Sequence, residues 1–388
     1  AQISGNTNQT PRNNKRKMAL RVPVRALAAF LALYLWDDRK TVPHLMPKSA
    51  LEHKPSLHDD AVLITDKFRD LRDDYHPPKH PIVLCHGLSG FDTMLVLQFP
   101  QIQAFSAEKS PEVSAKPPKK DPEKDLEKVS REVNSKLPFM VNYWHGIEEA
   151  LTQTGVTVIT AKVPPFGTIA ARAELLDALL REKVKDLPKD PSDGRVKINM
   201  VGHSMGGLDS RYLILKLQDE SCPYRVVSLT TISTPHRGSE VADFVMSYVE
   251  KDQFLQTLCP QAIPQLTTKY MAKFNEEVRN DPSVAYFLYG ARMRPHGFRL
   301  FKGTYEILRW EISRAGRSSV DNDGMVSVDL AKWGNYVGTL DDVDHLDLIN
   351  WTNRMKATVD QAMFQKPPAF NPIALYLDIA DMLSRNGF

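Results

Sequence analysis

Cysteine is scarce in this sequence of 388 residues, which contains only Cys85, Cys222 and Cys259. Three thiols are too few for the disulfide scaffold that stabilises many small secreted proteins. Cys85 lies in a run of apolar residues, so we expect it to serve as core packing. Whether any two of the cysteines form a bridge stays open at this stage.

An excess of charge of one sign is also absent. The sequence has 50 basic and 47 acidic residues and a formal net charge of +3, so global charge points to no partner. Residues 106–137 are rich in Lys, Glu and Pro, which predicts a solvated insertion rather than packed structure. Acidic residues alternate with the lysines there, which argues against nucleic-acid binding.

The N-terminal segment lacks acidic residues over its first 36 positions and carries several basic ones. Its apolar run, Ala26 to Trp36, has eleven residues, whereas a membrane-spanning helix needs about 20. An acid-poor, Arg-bearing start is typical of a mitochondrial presequence, so we expect residues 1–40 to be a targeting segment. Membrane association and the secretory pathway remain alternatives. A polar connector over residues 41–79 follows.

The sequence motif with the clearest chemical meaning is G-x-S-x-G at Gly202 to Gly206. A β-branched run, Val196 to Val201, precedes it, and a helix-like run, Leu208 to Leu217, follows it. Strand, sharp turn and helix are the setting of the nucleophile elbow of α/β-hydrolases, in which glycines make room around a strained serine. The motif predicts Ser204 as a catalytic nucleophile.

A nucleophilic serine needs a histidine as its base and an acidic residue that orients this histidine. In this fold the acidic residue follows the serine along the chain, and the histidine follows the acidic residue. His345 lies in a loop before an apolar run, where the base is expected. The acid is expected at the end of the strand before the His345 loop. Asp323, in a turn cluster, is the first choice for the acid, and Asp321 is its rival. Asp341, Asp342 and Asp344 are too close to His345 in sequence to come from a separate strand end, so we do not choose them as the acid. We interpret them as part of a solvated loop.

Two backbone N–H groups are expected to stabilise the oxyanion. One belongs to Met205, the residue after the nucleophile. The other is assigned to Leu88, which follows a short buried strand, Pro81 to Cys85, within the glycine-containing sequence His86 to Gly90. Loss of one such donor typically reduces the rate by about 100- to 1000-fold.

Strands alternate with helices along the rest of the sequence, which predicts an α/β fold with a mostly parallel central sheet and helices on both faces. We expect one catalytic domain over residues 80–365 and a C-terminal helical tail over 366–388. Residues 244–290 form a candidate helical lid over an acyl-chain groove; an ordinary amphipathic helix on the core is the alternative. The candidate substrate-binding residues of this lid are Leu258, Leu266, Tyr270 and Phe274.

Over residues 80–360 the sequence resembles bacterial true lipases and, more closely, fungal mitochondrial triacylglycerol lipases. The matching segments occur in the family's order, and the Thr-Pro-His-Arg-Gly-Ser segment is the most specific of them. They are His86–Gly90, Tyr143–Ile147, Val201–Gly207, Thr234–Glu240, Asn322–Val326 and Asp344–Asp347.

This resemblance implies that Ser204, Asp323 and His345 form the triad, with Leu88 and Met205 as oxyanion donors, and it favours Asp323 over Asp321. Bacterial members usually have Gln at the position of Met205, but the backbone N–H alone is needed there.

The resemblance also raises the question of calcium, which many bacterial members bind near the catalytic histidine. Asp347 matches one of those ligands, but Trp351 stands where another oxygen is expected, and calcium takes six to eight oxygens. We therefore expect no required metal and no cofactor. The cysteines of the family's usual disulfide have no counterparts.

The expected function is serine-dependent hydrolysis of acylglycerol esters at a lipid interface or membrane surface. The alternatives are another lipid acyl hydrolase or acyltransferase, such as a phospholipase or a lipid-anchor deacylase. A non-catalytic α/β-hydrolase domain acting as a binding module is the alternative from a different class.

Overall fold

The computed structural model describes residues 62–88, 93–95, 140–295, 299, 301–317, 319–351 and 370–388. The predicted targeting segment and the charged insertion at 106–137 lie outside these residues, as do Ser89 and Gly90. None of the helices in the described ranges is long and apolar enough to cross a membrane.

A seven-stranded sheet forms the centre of the molecule, with strands in the order β1-β9-β8-β7-β6-β2-β5. Every neighbouring pair in this sheet is parallel. The predicted mostly parallel sheet is therefore confirmed. Its strands are β1 (Leu63–Ile64), β2 (Ile82–Cys85), β5 (Val158–Thr160), β6 (Val196–His203), β7 (Tyr224–Ile232), β8 (Ala285–Arg292) and β9 (Asn335–Asp341); β3 (Thr93–Leu95) and β4 (Met140–Asn142) form a separate antiparallel pair.

Alternate residues of the central strands face opposite sides of the sheet, as the two-residue period of a strand requires. In β2, Ile82 and Leu84 belong to one hydrophobic core and Val83 and Cys85 to another. Helices cover both faces, so the strand interior is a continuous apolar run rather than an alternating one. The helices are α1 (Ile147–Gln153), α2 (Ile169–Lys183), α3 (Met205–Tyr212), α4 (Glu240–Val249), α5 (Gln253–Leu258), α6 (Ala262–Gln265), α7 (Thr268–Glu277), α8 (Lys302–Arg314), α9 (Val328–Ala331) and α10 (Pro372–Arg385).

The C-terminal helix α10 packs on the same face of the sheet as α1. Tyr376 of α10 lies edge-on to Trp144, with ring centroids 5.6 Å apart, and both rings are buried. Asn371 caps this helix by accepting a hydrogen bond from the Ile373 N–H at 3.1 Å, and Pro372 occupies its first turn, where no N–H is needed. The helix therefore contributes to the core beneath the end of β6.

Helices α4 to α7 lie between β7 and β8. The predicted lid, residues 244–290, begins inside α4 and ends inside β8 of the central sheet. These helices do not form a detached cap, because Met271 and Phe274 of α7 pack with Met205 and Leu208 of α3 in one buried cluster. The short helix α5 differs from them, since none of its residues is buried.

Candidate active site

Ser204 lies at the junction of β6 and α3 in a backbone conformation that L-residues rarely adopt, with φ 55° and ψ −130°. Neighbouring glycines make this turn possible. A Cβ on Gly206 would lie 2.2 Å from the Cys85 carbonyl oxygen, and one on Gly207 would lie 2.3 Å from Thr234 Oγ1. The turn is therefore pressed against β2 on one side and the loop after β7 on the other, and it has the geometry of a nucleophile elbow.

The Asp323 carboxylate is buried and faces the imidazole of His345. His345 Nδ1 lies 2.6 Å from Asp323 Oδ2, and the His345 N–H donates to the Asp323 carbonyl at 3.0 Å. The second carboxylate oxygen accepts from the N–H groups of Met325 and Val326 at 2.9 and 2.8 Å. This pairing assigns the proton to Nδ1 and leaves Nε2 of His345 as the basic nitrogen.

Asp323 does not lie where the sequence reasoning placed it. The strand before the His345 loop is β9, which ends at Asp341, whereas Asp323 lies in the long excursion between β8 and β9, ahead of α9. A short bridge between Asn322 and Ser327 closes this turn. Asp321, the rival for the acid, is instead paired with Arg292 at 3.0 Å.

The acidic group beside His345 is not a solvated loop, contrary to the sequence interpretation. Asp341 pairs with Arg292 at 2.8 Å, and Asp344 is buried. The sequence pattern did not reveal that arginines distant along the chain approach these carboxylates.

One of these arginines, Arg299, lies among three carboxylates of the loop of residues 342–347, which we call the base loop. Its guanidinium donates to Asp342 and Asp347 at 2.8 Å and to Asp344 at 3.3 Å. Burial and the nearby Asp347 carboxylate raise the pKa of Asp344 to about 6. The Asp347 carboxylate, which the resemblance compared with a calcium ligand, is thus an ion-pair partner of Arg299, and the Trp351 side chain is buried in the core.

Leu88 belongs to the second loop at the site, residues 86–88, which we call the oxyanion loop. The Gly87 carbonyl oxygen lies 3.0 Å from His86 Nδ1 and 3.4 Å from an Arg172 nitrogen. In a trans peptide the next N–H points the opposite way, so these contacts fix the direction of the Leu88 N–H. Within the described part of the chain this N–H donates to no acceptor.

Arg172 is fully buried and joins the oxyanion loop to the elbow helix. It donates to the His86 carbonyl oxygen at 2.7 Å and pairs with Asp209 of α3 at 2.7 Å. Burial raises the pKa of Asp209 to about 6 against the opposing effect of Arg172. Sequence reasoning missed this pair. A signal was present, because Arg172 shares a helix face with the apolar residues Ile169, Ala173 and Leu176, and a charged residue on an apolar face indicates a buried ion pair.

The predicted substrate-binding residues do not share one environment. Leu266 and Phe274 are buried in the cluster that contains Met205. Leu258 is half-buried, while Tyr270 is exposed. The structure therefore brings two of them against the elbow helix and leaves the other two nearer the surface.

The cysteines form no disulfide among themselves in the structure. All three cysteines, including the buried Cys85, are free thiols. Over the described ranges no cluster of three or more His, Cys, Asp or Glu side chains has the arrangement of a metal site.

The sequence is similar to families of known esterases and lipases. The family described as "Putative serine esterase (DUF676)" matches residues 124–273. Triacylglycerol lipase 2 of Saccharomyces cerevisiae is 40% identical over 323 residues, which are 81% of this chain and 94% of the yeast protein. The chain belongs to the family of this yeast lipase. It is accordingly a serine lipase of the α/β-hydrolase fold that hydrolyses ester bonds, which confirms the fold and enzyme class predicted from the sequence.

Two further similarities are more distant. The triacylglycerol lipase of Pseudarthrobacter phenanthrenivorans is 30% identical over 183 residues, 46% of this chain and 40% of that protein. The solved structure of lipase 1 from Pelosinus fermentans has 18% identity and a TM-score of 0.49, and the match covers 79% of this chain and 99% of that structure.

Proposed function

We propose that this serine lipase hydrolyses acylglycerols through an acyl-enzyme on Ser204, with His345 as general base and Asp323 as its partner. The observation that carries the proposal is the 2.6 Å contact between His345 and the buried Asp323 beside the strained Ser204 turn. His203, directly before Ser204, has its ring centroid 4.6 Å from that of His345. Because Ser204 follows His203 in the chain, this ring contact supports the assignment of Ser204 and His345 to one site.

In the proposed reaction, His345 Nε2 takes the Ser204 hydroxyl proton as Oγ attacks the ester carbonyl carbon. The N–H groups of Leu88 and Met205 stabilise the oxyanion, and Asp323 stabilises the imidazolium. His345 then gives its proton to the departing glycerol oxygen as the carbon–oxygen bond breaks. Water, deprotonated by the same imidazole, attacks the acyl-enzyme. The imidazolium returns its proton to Ser204 Oγ as the acyl carbon–oxygen bond breaks, which releases the fatty acid and restores Ser204.

The proposed substrate class rests on the yeast relative, whose name describes it as a triacylglycerol lipase and whose length this chain covers almost completely. An exposed aromatic surface supports action at a lipid interface. Phe254 of α5 is 69% exposed and Tyr248 of α4 is 49% exposed. Phe254 lies on a helix without buried residues, and exposed aromatic side chains of this size suit contact with a lipid surface.

The test compares emulsified long-chain triacylglycerol with soluble p-nitrophenyl esters, using wild type, Ser204→Ala and the exposed-serine control Ser247→Ala. Loss of a triad serine can reduce kcat by about a millionfold, so Ser204→Ala should be inactive while Ser247→Ala matches wild type. Activity on phospholipid but not on triacylglycerol would redirect the substrate assignment to phospholipase. Undiminished hydrolysis by Ser204→Ala would refute the proposed mechanism.

We also propose mitochondrial targeting by the basic N-terminal segment, whose first 36 residues include no acidic residue. A fluorescent protein fused after residue 40 should co-localise with a mitochondrial marker. Replacement of Arg16, Arg21 and Arg25 by Glu should abolish import. Localisation of the fusion to the endoplasmic reticulum would favour the secretory alternative.

A further inference from the structure

Two buried polar side chains behind Ser204 have no role in the reaction described above. Tyr143 follows β4, and His203 directly precedes the nucleophile. Their polar atoms meet, with Tyr143 Oη and His203 Nδ1 only 2.6 Å apart. Both residues are almost completely buried, so water does not compete for this contact.

The direction of this hydrogen bond follows from the state of each group. Burial raises the pKa of Tyr143 far above neutrality, so its hydroxyl keeps its proton. Burial and the nearby His345 lower the pKa of His203 well below its usual range, so its imidazole is neutral. Tyr143 therefore donates to Nδ1 of His203, and the remaining ring proton of His203 is on Nε2.

The Tyr143 hydroxyl also binds the oxyanion loop. Its oxygen accepts a hydrogen bond from the Gly87 N–H at 3.0 Å. A Cβ on Gly87 would lie 2.7 Å from Ser204 Cβ and 2.9 Å from Tyr143 Oη, so this glycine packs directly on both residues. Tyr143 thus helps to fix the distance between the oxyanion loop and Ser204.

His203 extends the connection to the other side of the site. Its ring lies against that of His345, with the two ring centroids 4.6 Å apart. A continuous series of contacts therefore runs from the Gly87 N–H through Tyr143 and His203 to the base loop.

We propose that Tyr143 and His203 are positioning residues that hold the oxyanion loop and the base loop at a fixed separation around Ser204. The inference rests on the proposed roles of Ser204, His345 and the Leu88 N–H. Neither side chain touches the reacting atoms. Their effect is on geometry, which matters because an error of about 1 Å in placement can reduce the rate 100-fold.

The structure provides a matched control for removal of the Tyr143 hydroxyl. Tyr376 is equally buried in the same aromatic stack, Tyr143–Trp144–Tyr376, with successive ring centroids 5.0 and 5.6 Å apart. Its hydroxyl has no hydrogen-bond partner among the described residues. Tyr376→Phe therefore makes the same chemical change in the same core without breaking the link to His203.

The experiment measures kcat and KM for p-nitrophenyl butyrate, together with the affinity for a boronic acid that mimics the tetrahedral intermediate. Tyr143→Phe should lower kcat about 10- to 100-fold and weaken boronate binding in proportion, because only the oriented site stabilises the tetrahedral state. KM should stay within about twofold of wild type, since ground-state binding is unchanged. Tyr376→Phe should match wild type.

A double variant, Tyr143→Phe with His203→Asn, separates a shared link from general loss of packing. Because both single changes break one connection, the double variant should lose no more kcat than the worse single variant. The inference would be overturned if the fold-losses in kcat of the two single variants multiplied in the double variant. An unchanged kcat in Tyr143→Phe, or an equal loss in Tyr376→Phe, would also overturn it. If His203→Asn does not fold, Tyr143→Phe and its control decide the matter. Failure of the proposed function is separately visible, as an active Ser204→Ala variant.

Discussion

The two sides of the Ser204 site are held by different kinds of interaction. On the base side, Arg299 joins three carboxylates of the base loop through contacts that remain partly accessible to water. On the oxyanion side, the fully buried pair Arg172–Asp209 and the neutral Tyr143–His203 bond hold the loop. Buried polar contacts are costly to break singly, whereas partly exposed ion pairs contribute less. We therefore expect the oxyanion side to be the more sensitive to loss of one supporting group.

The first prediction removes the charge of the base's partner, Asp323. Asp323→Asn should lower kcat by about 10⁴-fold with little change in folding, because an amide favours the wrong imidazole tautomer. Initial rates on p-nitrophenyl butyrate measure this. Asp321→Asn is the control, since Asp321 pairs with Arg292 rather than with His345. Equal losses in the two variants would contradict the assignment of Asp323.

The second prediction breaks the buried support of the oxyanion side. Arg172→Met leaves the Asp209 carboxylate buried without its partner and removes a donor from three carbonyl oxygens, those of Pro164, His86 and Gly87. We expect a loss of about 3–5 kcal/mol in the free energy of unfolding, measured by urea titration. The combined change Arg172→Met with Asp209→Leu should recover part of that loss. A decrease below about 1 kcal/mol would show that this pair does not stabilise the loop.

The third prediction breaks the corresponding support of the base side. Arg299→Met should cost about 1–3 kcal/mol of folding free energy, because its contacts are charge-assisted but partly exposed. The loss of kcat should be smaller than that caused by Tyr143→Phe. The same urea titration and rate assay measure both quantities. A greater loss of stability than for Arg172→Met would reverse the proposed difference between the two sides.

The fourth prediction concerns pH. Burial lowers the pKa of His203 in the folded state, so below about pH 6.5 the unfolded chain binds a proton that the folded chain does not. The contribution of His203 to stability should therefore fall as pH decreases. His203→Asn should reduce this dependence by up to about 1.4 kcal/mol per pH unit, as measured by urea unfolding between pH 7.5 and 5. Parallel curves for the two proteins would contradict a neutral, buried His203.

The local part of the site was readable from sequence, because strand, glycine turn and helix occupy consecutive residues around Ser204. The proposed base, His345, follows from chain order, whereas the choice of Asp323 as its proposed partner needed the family resemblance, since its position between β8 and β9 follows from no periodic pattern. The supporting contacts were not predicted. Arg299 and the base loop are more than 40 residues apart, as are Tyr143 and His203, and only the folded sheet brings them together.

The measurement that tests the central assignment most directly is covalent trapping with an alkyl fluorophosphonate, followed by mass spectrometry of the labelled peptide. The account predicts one adduct, on Ser204, formed rapidly in wild type, much more slowly in His345→Ala and not at all in folded Ser204→Ala. An adduct on another residue, or equal labelling rates in wild type and His345→Ala, would contradict it.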